Sequence, residues 1–228
     1  MSPFTAILQV LFPTTCACCG NVLVRGERQL CLRCLSNLES TLYSPVPGNP
    51  VERRLMELPS LGNATATYFF RHDNTVRDTV HAMKFHGNTE LCLMMGRQIG
   101  LNLLASGRFD DVEVLVPVPL HWRRRLRRGY NQSELLCRGI AEVMHLPVCT
   151  DAVVRHRYTR QQSQQQGSKR AQNVAGAFRL RKASRIEGKH VLLVDDVLTT
   201  GATIKACATA MSSAEGVRIS VATFSVAS

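Results

Sequence analysis

Two adjacent carboxylates, followed by small hydroxyl and glycine residues, form the stretch with the clearest chemistry. Asp195 and Asp196 end an apolar run that begins at Val191, which predicts a buried strand of a parallel sheet. After them, hydroxyls and free backbone N–H groups stand where a helix begins, an arrangement that binds anions. These residues are Thr199, Thr200, Gly201, Ala202 and Thr203. The segment therefore presents acceptors for sugar hydroxyls beside donors for a phosphate, unless the aspartates merely cap an ordinary helix.

A second candidate site follows the predicted strand 112–118. Five arginines in six positions stand between two aromatic side chains; the segment comprises Trp122, Arg123, Arg124, Arg125, Arg127, Arg128, Gly129 and Tyr130. Guanidinium groups suit phosphates and aromatic rings stack on bases, so this composition fits single-stranded nucleic acid. The alternative is a solvated basic face without a partner.

The segment VLLVDDVLTTGAT resembles the motif with which type I phosphoribosyltransferases bind phosphoribosyl pyrophosphate (PRPP). The resemblance implies an α/β fold in which helices flank a parallel sheet. It also implies that Asp195 and Asp196, the candidate catalytic residues, hydrogen-bond the ribose hydroxyls, and that residues 199–203 wrap the 5′-phosphate. The expected ligand is PRPP or a related phosphoribosyl compound. Mg²⁺ would accompany it and bridge its pyrophosphate and ribose hydroxyls.

The segment VPVPLHWRRRLRRGYNQSELL resembles the signature of the ComF (competence protein F, also called GntX) family, with Tyr130 where phenylalanine is the norm. In phosphoribosyltransferases the loop at this place meets the pyrophosphate of PRPP. The resemblance therefore gives that role to Arg127, Arg128 and Gly129. The candidates for nucleic-acid contact are Arg123, Arg124, Arg125, Trp122 and Tyr130.

The polar segment 155–172 is rich in arginine and glutamine and has no acidic residue, which indicates a mobile basic loop. In the enzyme family a flexible loop at this place closes over PRPP. A disordered linker is the alternative. The ComF pattern for this part of the chain reappears at Thr159, Gln161, Gln162, Arg170, Asn173, Val174, Gly176 and Phe178.

Four cysteines near the N-terminus form two pairs of equal spacing, Cys16 with Cys19 and Cys31 with Cys34. Such pairs are typical of two knuckles that hold one zinc ion. Four thiolates leave no position open for water, so we expect structural zinc in a ribbon that needs its metal to fold. Cys18 makes the register of the first pair ambiguous. Free or redox-active thiols are the alternative.

The composition indicates a globular protein with an anionic partner. The 228 residues carry a formal net charge of +11, and 23 of the 28 cationic side chains are arginine. A solvated basic face without a partner would account for the charge nearly as well. No apolar run is long enough to span a membrane, and the apolar residues 1–12 lack the basic start of a signal peptide. We therefore expect a cytoplasmic protein without membrane insertion.

Strands that alternate with helices predict parallel crossovers. The expected strands are 64–71, 112–118, part of 146–154, 177–180, 191–195 and 217–226. The expected helices are 73–85, capped by Asp73, then 89–104, 131–145 and one after Gly201. Lys84 could reach an anion, although an exposed lysine is the commoner case. The chain is divided into a zinc ribbon (1–43), a connector rich in proline and glycine (44–62) and a phosphoribosyltransferase-like domain (63–228).

Together these features favour a PRPP-binding ComF-type protein. The family resemblance implies that it acts in DNA uptake, competence or DNA utilisation, and the arginine-rich segments support the binding of single-stranded DNA more weakly. Proteins of the DNA-uptake machinery are its expected protein partners. The alternative is an active phosphoribosyltransferase of nucleotide metabolism, in which a nucleophile displaces pyrophosphate at the ribose C1. A third hypothesis is a regulatory module that senses PRPP without chemistry. The sequence leaves catalysis open, because it contains no readable element that would recognise a purine or pyrimidine acceptor.

Overall fold

The computed structural model describes residues 13–85, 87–157 and 176–227. The helices are α1 (Leu32–Ser36), α2 (Pro50–Leu55), α3 (Thr75–Phe85), α4 (Thr89–Ser106), α5 (Trp122–Arg128), α6 (Gln132–Met144) and α7 (Ala202–Met211). The strands are β1 (Leu61–Phe70), β2 (Val114–Pro117), β3 (Val153–Arg155), β4 (Phe178–Leu180), β5 (His190–Leu198) and β6 (Arg218–Ala227). In this part of the chain no helix is long and apolar enough to cross a membrane.

Four strands form a parallel sheet in the order β1-β6-β5-β2. The strand β5 therefore lies inside the sheet, with β2 beside it at one edge. The strands β3 and β4 form a separate antiparallel pair. The expected α/β fold with a parallel sheet is confirmed, and β5 and β2 carry the two segments that the sequence singled out.

The sheet is covered on both faces, because side chains that alternate along a strand enter two different cores. Val191 and Leu193 of β5 pack in the core that also contains residues of α2 and α7. Leu192 and Val194 pack in the other core, with residues of α3, α4 and α6. An unbroken run of apolar residues is therefore needed in β5. This explains the apolar residues that open its motif.

The helices α4 and α6 approach each other closely at two glycines. A Cβ atom on Gly139 would lie 2.3 Å from the backbone oxygen of Leu93, and one on Gly96 would lie 2.3 Å from that of Leu136. Real Cβ atoms do not approach a backbone atom so closely, so both positions require glycine at this crossing. The contact fixes α6, whose first residues reach the acidic pair.

The cysteine-rich segment packs against the main sheet and its helices. Cys16, Cys31 and Cys34 are buried in the same core as Val76 and Val80 of α3. The chain then runs along the edge of β1, where Ser40 forms an antiparallel bridge with Tyr68 and the Thr41 N–H donates to the Thr67 carbonyl. The Asn88 side chain at the start of α4 also donates to Gln29 at 2.8 Å.

Several element boundaries differ from the sequence-based expectation. The strand β1 begins at Leu61, within the segment assigned to the connector, because it pairs with β6 from that residue onward. The helix α3 begins at Thr75, and the side chain of Asn74, where Asp73 was expected, accepts from the Arg77 N–H at 3.1 Å. The strand β5 continues through both aspartates to Leu198. The acidic pair therefore lies within the strand, and the turn follows Leu198.

Candidate functional site

The acidic pair is buried near the carboxyl end of β5. Asp195 and Asp196 are 8% and 5% exposed. Two donors bind one oxygen of Asp195: the hydroxyl of Ser133 at 2.9 Å and the N–H of Asp196 at 2.9 Å. Because Ser133 belongs to the first turn of α6, that helix helps to orient the carboxylate.

Asp196 is held by two side chains that come from different helices. The ammonium group of Lys84, at the end of α3, lies 2.6 Å from Asp196 Oδ2. The amide of Gln132, at the start of α6, donates to the same oxygen at 3.2 Å. The Lys84 side chain is only 17% exposed. Of the two alternatives for Lys84, the structure therefore favours contact with an anion, since Lys84 pairs with a buried carboxylate.

The protonation of Asp195 is perturbed by its burial and by the adjacent carboxylate. Burial, and after it the charge of Asp196, raise the pKa of Asp195 to about 7. The N–H of Asp196, the charge of Lys84 and the hydroxyl of Ser133 oppose this shift but do not cancel it. Asp195 therefore changes its charge near neutral pH.

The turn after β5 leads directly into α7. Thr199 and Thr200 are exposed, and Gly201 has a φ of +82°, which favours glycine. The guanidinium of Arg54, from α2, donates to the Thr199 carbonyl at 2.7 Å and to the Ala227 carbonyl at 2.9 Å. Arg54 thus ties the turn to the end of β6, and Ala202 and Thr203 begin the helix that follows the turn.

The arginine-rich segment forms a helix, α5, where the sequence analysis expected a loop. The ring nitrogen Nδ1 of His121 accepts from the Arg123 N–H at 3.3 Å and caps its start. Gly129, with a φ of +86°, ends it. These caps, and the good helix propensity of arginine, explain the difference. Trp122 and Leu126 are exposed on it, by 58% and 74%.

The arginines of α5 have different surroundings. The guanidinium of Arg123 lies 5.2 Å from the centre of the Trp122 ring, and Arg125 lies 3.4 Å from Glu134 of α6. Arg128 is partly buried. It lies over the Phe85 ring, 5.5 Å from its centre, and donates to the Gln132 side chain. Arg128 therefore belongs to the network around the acidic pair, whereas Arg123, Arg125 and Arg127 are exposed.

The ring of Tyr130 is partly buried between α5 and α6. Its hydroxyl donates to the backbone carbonyl of Met83 at 2.6 Å. Met83 precedes Lys84, so this hydrogen bond connects the Gly129 turn to the end of α3. The phenylalanine that is the ComF norm at this position could not form it.

The arginine helix and the acidic pair lie at the same edge of the sheet. The strands β2 and β5 are parallel neighbours, with Pro117 opposite Val194. The Val118 N–H continues this pairing by donating to the Val194 carbonyl at 2.9 Å. In open α/β sheets, ligands bind at the carboxyl ends of the strands. Cationic, acidic and N–H donor groups thus converge where such a fold places its ligand.

The four predicted cysteine ligands lie together. Their sulfur atoms are all within 4.8 Å of one another, and those of Cys19 and Cys31 are 3.7 Å apart. A tetrahedral zinc site with Zn–S bonds of ~2.3 Å separates its sulfurs by roughly 3.8 Å. Burial raises the pKa of Cys16, but N–H groups that donate to its sulfur outweigh burial and lower it to about 6. The cluster could therefore hold a metal ion.

The structure also places Cys18, which left the register of the first pair ambiguous. Its sulfur lies 3.2 Å from the hydroxyl of Thr79 on α3 and is not among the four clustered sulfurs. Cys18 thus contacts the helix on which the cysteine-rich segment packs.

Some predicted features lie outside the described residues. They are the apolar opening 1–12 and most of the basic loop, including Thr159, Gln161, Gln162, Arg170, Asn173 and Val174. Of the same ComF pattern, Gly176 has a φ of +64° and Phe178 begins β4. The guanidinium of Arg155 lies over the Phe178 ring, 5.3 Å from its centre.

Sequence reasoning missed three contacts of the site. Ser133 and Gln132 hold the aspartates from α6, and Arg54 holds the turn from α2. The sequence signal for Ser133 and Gln132 was the polar start of the helix, Asn131-Gln132-Ser133. Helix capping alone was enough to explain these polar residues. No local pattern indicated Arg54, since 145 residues separate it from Thr199.

A parallel sheet with an acidic pair and a threonine–glycine turn at the end of one strand defines a phosphoribosyltransferase-like protein. The phosphoribosyl transferase domain family matches residues 131–225. The chain is 30% identical over 192 residues to DNA utilization protein YhgH of Salmonella typhimurium, covering 83% of this chain and 80% of the relative. The chain belongs to the ComF family, with a type I phosphoribosyltransferase fold and an N-terminal four-cysteine cluster.

Two further relatives match shorter segments. DNA utilization protein YhgH of Escherichia coli K12 is 36% identical over 128 residues, which cover 55% of this chain and 56% of the relative. Competence protein F of Haemophilus influenzae is 38% identical over 93 residues, 40% of this chain and 41% of the relative. The matched segment thus spans only about half the length of these relatives.

Proposed function

We propose that this protein binds PRPP and single-stranded DNA and acts in the uptake or utilisation of DNA. One observation carries the proposal: the acidic pair, the turn 199–203 and the arginine helix α5 meet at the carboxyl ends of the adjacent strands β5 and β2. The names of the relatives, DNA utilization protein and competence protein F, support the biological role.

In the proposed complex each group has a distinct role. Asp195 and Asp196 accept hydrogen bonds from the ribose hydroxyls and stabilise positive charge that develops on the sugar. The N–H groups and hydroxyls of residues 199–203 hold the 5′-phosphate at the start of α7. Arg127, Arg128 and the backbone of Gly129 bind the pyrophosphate. With this geometry, the anionic leaving group and the cationic sugar carbon face side chains of opposite charge.

The site fits Mg²⁺ when the ion arrives with the ligand. Mg²⁺ prefers oxygen ligands and keeps several waters, and it is commonly held by one or two carboxylates together with substrate phosphates. The oxygen Asp196 Oδ2 already accepts from Lys84 and Gln132, so most ligands of the ion would come from PRPP and water. When bound, the ion would neutralise charge on the pyrophosphate.

Magnesium PRPP is expected to stabilise the protein against heat. A ligand at a hundred times its dissociation constant adds about 2.7 kcal/mol. For a chain of this size that corresponds to a rise in melting temperature of roughly 5–10 °C. Asp196→Asn removes the charge with little change in shape and is expected to abolish the rise, as measured by a thermal-shift titration.

The control for this measurement is Asp151→Asn. Asp151 also pairs with a lysine, Lys182 at 2.5 Å, but it lies outside the site. This variant is expected to keep the full stabilisation by PRPP. A parent protein whose melting temperature does not respond to magnesium PRPP would contradict the proposal.

The exposed face of α5 supports the DNA part of the proposal. Arg123, Arg125 and Arg127 are exposed beside Trp122, so phosphates and an unstacked base can reach guanidinium and indole groups together. The test replaces a different set, the consecutive residues Arg123, Arg124 and Arg125, by alanine, which keeps a good helix former at each position. This change is expected to make the salt dependence of single-strand binding shallower, by a slope of about 2 if each arginine neutralises one phosphate.

Fluorescence anisotropy with a labelled oligothymidylate at several salt concentrations measures this slope. The matched control replaces Arg179, Arg181 and Arg185, which are exposed outside α5, and removes the same charge. Equal slopes for the two triple variants would show that net charge, rather than α5, governs binding.

We also infer that the four-cysteine cluster holds zinc. The sulfur separations suit a tetrahedral ion, and thiolate ligands favour zinc among the divalent metals that are structural in proteins. With four protein ligands the ion would have a structural role.

A further inference from the structure

The ammonium group of Lys84 occupies a position where the ribose hydroxyls of the proposed ligand would bind. It contacts Asp196 at 2.6 Å, and the two side chains are 17% and 7% exposed. A diol that approaches this side of the carboxylate therefore meets the ammonium group. Ligand binding at Asp196 Oδ2 must therefore displace Lys84 or share the oxygen with it.

Lys84 has little reason to leave without a second anion. Two carboxylates lie side by side, and the charge of Lys84 acts on Asp195 as well as Asp196. Removal of one partner from a poorly solvated ion pair is costly, because the remaining charge is left uncompensated. A neutral sugar gives the displaced ammonium no anionic partner, so the full cost of breaking the ion pair would oppose binding. A pyrophosphate could offer the ammonium a new partner.

The end of α3 is also held close to the phosphate-binding arginines. Tyr130 donates to the carbonyl of Met83, next to Lys84. The guanidinium of Arg128 lies over the ring of the following residue, Phe85. Lys84 and Arg128 thus approach the acidic pair together, and Gln132 contacts both Arg128 and Asp196.

We propose that Lys84 exchanges partners on ligand binding, from Asp196 in the free protein to the pyrophosphate oxygens of PRPP in the complex. The inference rests on the proposed PRPP-binding function and adds a residue to the site. Tyr130 is a positioning residue, which keeps the end of α3 within reach of both partners. The exchange makes affinity depend on the pyrophosphate, so that ribose 5-phosphate alone is disfavoured.

Lys84→Met separates this inference from a merely structural role. The variant lacks the contact to pyrophosphate, so PRPP affinity is expected to fall roughly tenfold to a hundredfold. Ribose 5-phosphate no longer has to break the ion pair, so its affinity is expected to stay equal or to rise. Isothermal titration of both ligands with Mg²⁺ at pH 8 measures the two affinities. Lys182→Met, which breaks the outlying pair with Asp151, is expected to change neither.

Tyr130→Phe gives a second test that does not alter any charge. The variant keeps the ring and loses only the hydroxyl that binds the Met83 carbonyl. It is expected to lower the affinity for PRPP several-fold and to leave the affinity for ribose 5-phosphate unchanged. This variant decides the question if Lys84→Met does not fold.

The outcomes distinguish the two proposals. If the parent protein binds neither ligand, the PRPP-binding function fails, and the exchange fails with it. If the parent binds PRPP but Lys84→Met weakens both ligands equally, or neither, the exchange is wrong and PRPP binding stands. Weaker binding of PRPP together with unchanged or stronger binding of ribose 5-phosphate supports the exchange.

Discussion

Cys34→Ser is expected to release the metal ion from the four-cysteine cluster and to lower the melting temperature by roughly 10 °C or more. The cysteine-rich segment contains little regular structure, namely the short helix α1 and one bridge between Thr15 and Val22. A segment with so little regular structure would depend on a metal bound by the four cysteines to stay folded. Unfolding of the segment would also expose Val76 and Val80 of α3, which lie in the same core as the cysteines.

The matched control is Cys18→Ser, which removes a neighbouring thiol that contacts Thr79 and lies outside the cluster. We expect it to retain one metal ion per chain and nearly the parent stability. Elemental analysis of the purified protein gives the metal content, and circular dichroism gives the melting temperature. Equal metal content in Cys34→Ser and the parent would contradict the assignment of the cluster as the metal site.

The parts of the fold that the sequence predicted correctly are those with a local pattern. The apolar run before Asp195 predicted a strand buried on both faces, and the structure places its side chains in two cores. The repeated cysteine spacing predicted four sulfurs that converge, as they do. In each case residues near one another in the chain carry the information.

The contacts that complete the candidate site could not be predicted, because they join distant parts of the chain. Lys84 and Asp196 are 112 positions apart, and a lysine at the end of a helix gives no sign that a buried carboxylate lies beside it. The position of α6, which brings Ser133 to Asp195, depends on its crossing with α4 at Gly96 and Gly139. Tertiary packing, not local propensity, sets this geometry.

The expectation of a loop at α5 is wrong for a different reason, since the local sequence does contain signals for a helix. His121 and Gly129 stand at the positions of an N-terminal and a C-terminal cap, and arginine is a good helix former. The family resemblance implied a loop, whereas these local signals favour the helix that the structure shows. The helix changes the geometry of the site, because Arg124 and Arg128 lie one turn apart while Arg123 and Arg127 point to another side.

Asp195→Asn is expected to stabilise the protein at pH 8 by a few kcal/mol and to change its stability little at pH 4. Burial and the neighbouring Asp196 raise the pKa of Asp195 to about 7, from a value near 4 in the unfolded chain. Each pKa unit corresponds to about 1.4 kcal/mol, so the ionised carboxylate costs on the order of 4 kcal/mol above pH 7. Asparagine does not titrate, and its oxygen can accept from the same two donors, Ser133 and the Asp196 N–H.

The sign of the pH dependence follows from proton binding. Between pH 4 and pH 7 the folded protein holds a proton on Asp195 that the unfolded chain has lost, so this residue lowers the stability progressively as the pH rises through that window. Urea unfolding of both proteins at pH 4, 5, 6, 7 and 8 measures the difference, which should grow towards pH 7 and then level off. A difference that is constant with pH would contradict a raised pKa.

Asp196→Asn is the comparison that separates the two carboxylates. It would leave the ammonium of Lys84, only 17% exposed, without its carboxylate, so this variant is expected to be less stable than the parent at pH 8. Opposite signs for two neighbouring, equally conservative changes cannot arise from a general effect of lost charge. They would show that Asp195 is retained at a cost in stability, which is the behaviour of a residue selected for ligand binding and not for the fold.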